Sequence, residues 1–347
     1  MCNIAGYAGN QQAAPILLEM LRRQEPYDGD MSTGVATIHE GKLYYQKLVG
    51  NVDNFLKHVD LSLLPGTIGI AHTRPGADQN GIAPHPLMSK DERLALVVNG
   101  TTPRTMYWDR WDEAAQFLAD KGCEFFHLGD NPQGKSPKLK NGQLVFPPEV
   151  RMQLVDMYLK EGKSPEEAAC LAGEKMYSDN VTVFLTEDAP DQITVNRTTR
   201  PMVCVMEKDA TYISTSRFGL PEEIQTEAFD LPLFYSVAVK REGITVSKHR
   251  MDIEPVAEMT PYTYAEAYKR VEALLKSEQA PLVFDDLESA VGKMRDLWPG
   301  EHTLVQHARL VYDLLWQFDR EGRLRREERV QQRPKGLRRR YYMWLED

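Results

Sequence analysis

The order of strand-like and helix-like segments constrains the fold more than any other feature of this chain. Period-two and continuous apolar runs predict strands at Asn3–Ala8, Gly34–His39, Lys42–Val49, Thr67–Thr73 and Arg93–Val98. Helical spacing of Ile16, Leu17, Met20 and Leu21 predicts a helix over Ala13–Arg23, and Val52–Val59 reads as a shorter one. Helices then cluster at Trp111–Lys121, Pro147–Lys160 and Ser164–Met176, with Cys123–Leu128 read as a strand among them. Short strands return at Thr182–Thr186, Gln192–Asn196, Met202–Glu207, Thr211–Ser214, Phe234–Lys240 and Gly243–Arg250. Strands, a block of helices, then strands again is the order of an α+β fold; alternating βαβ units, and with them a parallel sheet, are not expected.

Two stretches read as irregular, Pro75–Pro86 and the polar segment Asp130–Phe146, the latter taken as a long surface loop. The composition changes near Pro255–Pro261. Beyond it, helices at Tyr262–Ser277, Phe284–Trp298 and His302–Arg320 precede a charged ribbon, Gly322–Tyr342, that turns at Pro334-Lys335-Gly336. The expectation is therefore two domains, 1–255 and a small helical, winged-helix-like C-terminal domain at 256–347.

With 42% hydrophobic and 27% charged residues, the chain is of the globular class. No apolar run approaches the ~20 residues of a membrane span, and the N-terminus lacks the basic and apolar regions of a secretory signal. Its four cysteines, Cys2, Cys123, Cys170 and Cys204, are scattered without metal-ligand spacing. A reduced, cytoplasmic protein without metal or other cofactor is the expectation. A net charge of −9 argues against wholesale nucleic-acid binding. Arg320–Arg340, with 10 Lys/Arg against 3 Glu, is a local basic stretch that either touches nucleic acid or pairs with the acidic remainder of the chain.

Candidate chemistry begins at Met1-Cys2-Asn3-Ile4-Ala5-Gly6-Tyr7. Removal of Met1 would leave Cys2 with a thiol, ordinarily of pKa about 8.5, beside a free α-amine of about 7.7–8. The amine can then serve as the base for its own thiol, without a histidine. Two more stretches stand at predicted strand ends: Ala71-His72-Thr73-Arg74 and Val97-Val98-Asn99-Gly100.

Taken in order, these stretches resemble the class II glutamine amidotransferases of the N-terminal nucleophile hydrolase superfamily, in particular the glutaminase domain of glucosamine-6-phosphate synthases. Leu17–Glu25 resembles the first helix of that family, Ser32-Thr33-Gly34 its Ser-Ala-Gly, and Ala83-Pro84-His85-Pro86 stands at family-like spacing. The likeness covers about Cys2–Ile253. It implies a four-layer αββα sandwich and a glutaminase half-reaction, with Cys2 attacking the side-chain amide of glutamine. It further implies Asn99 and Gly100 as oxyanion donors, Arg74 on the substrate carboxylate, Thr73 beside it, and Asp130 on the substrate ammonium.

Where sugar-synthase relatives carry Trp-Ala-Thr-His-Gly after the arginine, this chain has Pro75-Gly76-Ala77-Asp78-Gln79. Nor do residues 256–347 carry the sugar-isomerase domains of those enzymes, so ammonia would pass to a partner protein or be an end product. Two readings stand beside the leading one: a catalytically lapsed ligand sensor that signals through its winged-helix-like domain, and an amidase with another amide substrate.

Overall fold

Two antiparallel sheets stack face to face, with helices on both outer faces, in a computed structural model that describes all residues except 76–83, 102–107, 128–135, 225, 254–255, 299–303, 334–335 and 347. The elements in the first half are β1 (Asn3–Ala8), α1 (Ala13–Gln24), β2 (Ser32–His39), β3 (Lys42–Val49), α2 (Val52–His58), β4 (Ile68–Arg74), β5 (Leu87–Met88), β6 (Leu94–Thr101), α3 (Trp108–Asp120), α4 (Pro147–Lys160) and α5 (Pro165–Lys175). There follow β7 (Asp179–Thr186), β8 (Ile193–Arg197), β9 (Val203–Met206), β10 (Thr211–Ser214), β11 (Phe229–Asp230), β12 (Tyr235–Lys240) and β13 (Gly243–Arg250). The C-terminal elements are α6 (Pro261–Leu275), α7 (Phe284–Lys293), α8 (His307–Arg320), β14 (Leu324–Arg333) and β15 (Gly336–Leu345).

The first sheet has the order β11-β9-β10-β1-β4-β2-β3 and the second β13-β12-β8-β7-β6-β5. Strand alternation explains the layers. In β1, Ile4 and Ala8 enter the core between the sheets, while Ala5 and Tyr7 pack with Leu17, Leu18 and Leu21 of α1. In β6, Ala95 and Val97 face the intersheet core, while Leu94, Leu96 and Val98 pack under α3, α4 and α5. Both faces of the central strands are covered, which is why their sequences are almost continuously apolar. Each fully buried Leu or Ile contributes about 1.5–3 kcal/mol to holding these layers.

Three expectations are corrected. Asn99-Gly100 does not end a strand: β6 continues through both residues, which pair with Val181 and Asn180. Cys123–His127 forms no strand, because the N–H groups of Phe126 and His127 donate to the buried Glu149 carboxylate, both at 2.8 Å, instead of to a sheet. The described part of Asp130–Phe146 is not merely surface loop, since Lys138 bridges Leu144 and both Leu139 and Val145 enter the core beneath α3 and α4. The Pro334-Lys335 turn lies outside the described residues.

In the C-terminal part, α6, α7, α8 and the β14–β15 ribbon share a core that includes Val271, Leu287, Leu314, Phe318 and Met343. Tyr27 and Phe218 belong to the same core, so these elements are seated directly on the loop after α1. Arginines of the basic stretch meet carboxylates: Arg323–Glu272, Arg325–Glu346 at 2.8 Å, Arg326–Asp319 at 3.2 Å and Arg339–Glu328 at 2.7 Å. No helix among the described residues is long and apolar enough to cross a membrane.

Candidate active site

The pairing of β1 with β4 brings the first two candidates together. Asn3 lies opposite Thr73 and Ile4 opposite His72. One step further along this register, Cys2 stands beside Arg74. Alternation turns Cys2 to the side of Ile4 and Arg74 to the side of Ile70, the intersheet face. Cys2, Arg74, Pro75, Val98, Gly100, Arg151, Ser178 and Asn180 line one cleft of about 300 Å³, whose apolar wall includes Trp111, Phe146 and Met176. The Arg74 guanidinium stands 5.9 Å from the Phe146 ring centre.

Asn99 has the parity of Ala95 and Val97 and faces the same intersheet layer as Cys2. It is 1% exposed, and its Nδ2 meets no acceptor among the described residues. A buried amide donor left without a partner costs about 1–3 kcal/mol, which a developing oxyanion would offset. Gly100 has φ +152°, and a Cβ there would lie 2.2 Å from the Asp179 carbonyl oxygen. Only glycine allows this approach of β6 to β7.

Charge around the N-terminus comes from several elements. The α-amine of Met1 is ion-paired with Asp28, with Asp285 of α7 at 3.8 Å. Burial lowers the pKa of the amine, while Asp285 and Glu288 oppose that shift. Burial raises the pKa of the Cys2 thiol, against the pull of the amine, Arg74 and Arg200. Cys2 nevertheless keeps some exposure toward the cleft. Arg200 binds Asp179 at 2.8 Å and Glu288 at 2.6 Å, so it ties β7 to α7 beside this centre. The Nε2–H of His72 donates to the Val98 carbonyl at 3.2 Å, and burial, then Arg74, lowers the His72 pKa to about 3. His85, with its ring centre 4.4 Å away, is held well below the ordinary imidazole range by burial. With pKa values lowered this far, both rings are neutral near pH 7 and are weak bases.

The remaining candidates divide. Thr73 turns to the opposite face of β4 from Arg74: it is fully buried, and its Oγ1 accepts from Asn3 Nδ2 at 3.1 Å. It braces the first strand and is not among the residues lining the cleft. Asp130 and Gly76–Gln79 lie outside the described residues.

Sequence reasoning missed Asp28, Arg151, Arg200 and Glu288. Arg151 looks like an ordinary helix arginine, yet it is 3% exposed, donates to Ser178 Oγ at 3.1 Å and has its pKa lowered by burial to about 10. The signal for Asp28 was present in the turn-rich Glu25–Gly34 stretch, but nothing local marks which of its carboxylates meets the amine.

No protein-family model matches the sequence. A glutamine–fructose-6-phosphate aminotransferase of Clostridium acetobutylicum is 29% identical over 217 residues, covering 62% of this chain and 31% of that enzyme. The same kind of enzyme from Caldanaerobacter subterraneus is 35% identical over 128 residues, 36% of this chain and 21% of the relative. In structure, a glutamine phosphoribosylpyrophosphate amidotransferase from B. subtilis, complexed with ADP and GMP, matches with TM-score 0.59 at 16% identity, over 79% of this chain and 58% of that one. The chain carries a class II glutamine amidotransferase-like domain. Its two layered sheets share the fold of that amidotransferase structure, a mixed α/β sandwich as the resemblance implied. This amidotransferase-like chain spans about a third or less of the length of the two aminotransferases described.

Proposed function

We propose that this domain, once Met1 is removed, hydrolyses the side-chain amide of glutamine with Cys2 as nucleophile. The observation that carries the reading is the joining of Cys2, Arg74 and Gly100 in one cleft, with the unpartnered Asn99 amide on the same intersheet face. The α-amine takes the thiol proton as sulfur bonds to the amide carbon, and the carbonyl oxygen becomes an oxyanion facing Asn99 and the Gly100 N–H. The C–N bond then breaks, the proton passes to the leaving nitrogen, and ammonia departs. Water cleaves the thioester, restores the thiol and releases glutamate.

Arg74 binds the α-carboxylate in this scheme through its planar fork. Arg151 places a second guanidinium on the cleft wall. The whole of this is a half-reaction, and the ammonia acceptor is a separate protein or domain, as the name of the aminotransferase relatives suggests. Residues 256–347 act here as a domain contact, a reading supported by the ion pairing of the ribbon arginines with carboxylates of the same chain.

The test is glutamate release from glutamine by protein whose intact mass shows Met1 removed. Cys2→Ala is expected to abolish it, and a glutamine-like electrophile is expected to label Cys2 alone. Persistent turnover in Cys2→Ala, or Met1 retained on active protein, would sink the proposal. Turnover of other amides but not glutamine would retain the nucleophile and change the substrate.

A further inference from the structure

The C-terminal ribbon reaches the loop that receives the α-amine. Arg340, on β15, is 4% exposed, and its Nη2 donates to Asp28 Oδ1 at 2.6 Å while its Nη1 donates to the Glu25 carbonyl at 3.2 Å. Oδ1 of Asp28 also accepts the Gly29 N–H at 2.7 Å, and the other carboxylate oxygen, Oδ2, meets the amine. The loop is held from outside as well: Tyr341 N–H donates to the Pro26 carbonyl at 2.7 Å, and Arg326 donates to the Tyr27 hydroxyl at 2.6 Å.

Asp28 brackets Cys2. Its carboxylate touches the chain before Cys2, at the Met1 amine, and its carbonyl accepts from Asn3 Nδ2 just after it. An amine freed on Cys2 emerges between these two contacts. A buried carboxylate needs compensating partners, and a charge-assisted arginine bond supplies both charge and direction.

We propose that Arg340 is a positioning residue for the N-terminal nucleophile: it holds Asp28 in place, and Asp28 holds the α-amine beside the Cys2 thiol. The C-terminal unit thus completes the site rather than merely abutting it. This inference rests on the Cys2 reading above. The Met1 amine, one residue before it, also faces Asp285 and Glu288 from α7, Arg200 from the segment after β8, and the Cys2 thiol, the surroundings that an amine freed on Cys2 inherits. Without Arg340 that freed amine meets the same carboxylates with one compensating cation fewer. Its pKa rises, and less of it is neutral and able to accept the thiol proton near pH 7.

The experiment compares Arg340→Met, Arg340→Gln and Arg340→Lys with the wild type, all with Met1 removal verified by intact mass and folding by circular dichroism. In Arg340→Met, kcat for glutamate release at pH 7 is expected to fall at least tenfold with KM within threefold. The acidic limb of the kcat/KM profile moves up by about one pH unit, so the loss shrinks in alkali. Arg340→Lys keeps the wild-type limb. Arg325→Met, on the same ribbon but paired with Glu346, keeps wild-type kinetics and excludes general loosening. An unmoved limb and kcat within twofold in Arg340→Met, in an enzyme whose turnover needs Cys2, overturns the role of Arg340 alone. Should Arg340→Met fail to fold, the Gln and Lys variants decide: identical limbs overturn it. A wild type without Cys2-dependent turnover overturns the nucleophile reading, and this inference with it.

Discussion

Replacing Glu25 by Gln should stabilise the protein by an amount that depends on pH. Glu25 follows α1 and is 1% exposed. Its Oε1 accepts the Val52 N–H at 2.8 Å, and its Oε2 has no partner among the described residues. Burial, helped by the charges of Asp30 and Asp53, raises its pKa from the ordinary 4.5 to about 8, despite the Val52 hydrogen bond. The folded protein therefore keeps a proton on Glu25 across a window in which the unfolded chain releases it.

Stability falls as pH rises through that window, by about 1.4 kcal/mol per pH unit. At pH 7 the accumulated cost is about 3 kcal/mol, and it levels off near 5 kcal/mol above the folded-state pKa. Gln keeps the carbonyl that Val52 needs and has nothing to titrate. Its buried NH₂ replaces a buried O–H, a cost that does not vary with pH. The gain of Glu25→Gln at pH 7 is thus expected to exceed that at pH 4 by about 3 kcal/mol. Urea unfolding followed by tryptophan fluorescence, in steps from about pH 4 to about pH 8.5, measures it. Groups common to both proteins cancel in the difference. A gain that does not change with pH would refute the reasoning, because it would mean that Glu25 titrates alike in the folded and unfolded states.

Two further outcomes follow from the cleft. Asn99→Ala should lower kcat for glutamate release by about 10²–10³ while KM changes little, since the amide acts on charge that develops only in the transition state; equal losses in binding of a non-reactive glutamine analogue would contradict this. Thr73→Val removes one of the two acceptors of Asn3 Nδ2 and should cost about 1 kcal/mol in urea unfolding with KM unchanged; a tenfold rise in KM at unaltered stability would return Thr73 to the substrate.

Much of the architecture could be read along the chain because its signals are local. Asn3–Ala8, Lys42–Val49 and Thr211–Ser214 form strands where their apolar runs predicted them, and Ser164 caps α5 by accepting the Glu167 N–H. The failures are places where a backbone group finds a distant partner. Cys123–His127 has a strand's composition, but Glu149 takes its N–H groups. Asn99-Gly100 has a turn's composition, but β7 approaches so closely that the pair stays in a strand.

The sequence by itself determined most of the element types and the antiparallel α+β class, since these depend on alternation and helical spacing within short segments. Only the tertiary structure decided the β1–β4 register that sets Cys2 beside Arg74, and what surrounds the amine. Asp28, Arg200, Glu288 and Arg340 come from four separate parts of the chain, and each looks like an ordinary surface charge in its own segment. Their ionic contacts form when the C-terminal ribbon and α7 dock against the loop after α1, because a charge acts over a few ångströms of space whatever its distance along the chain.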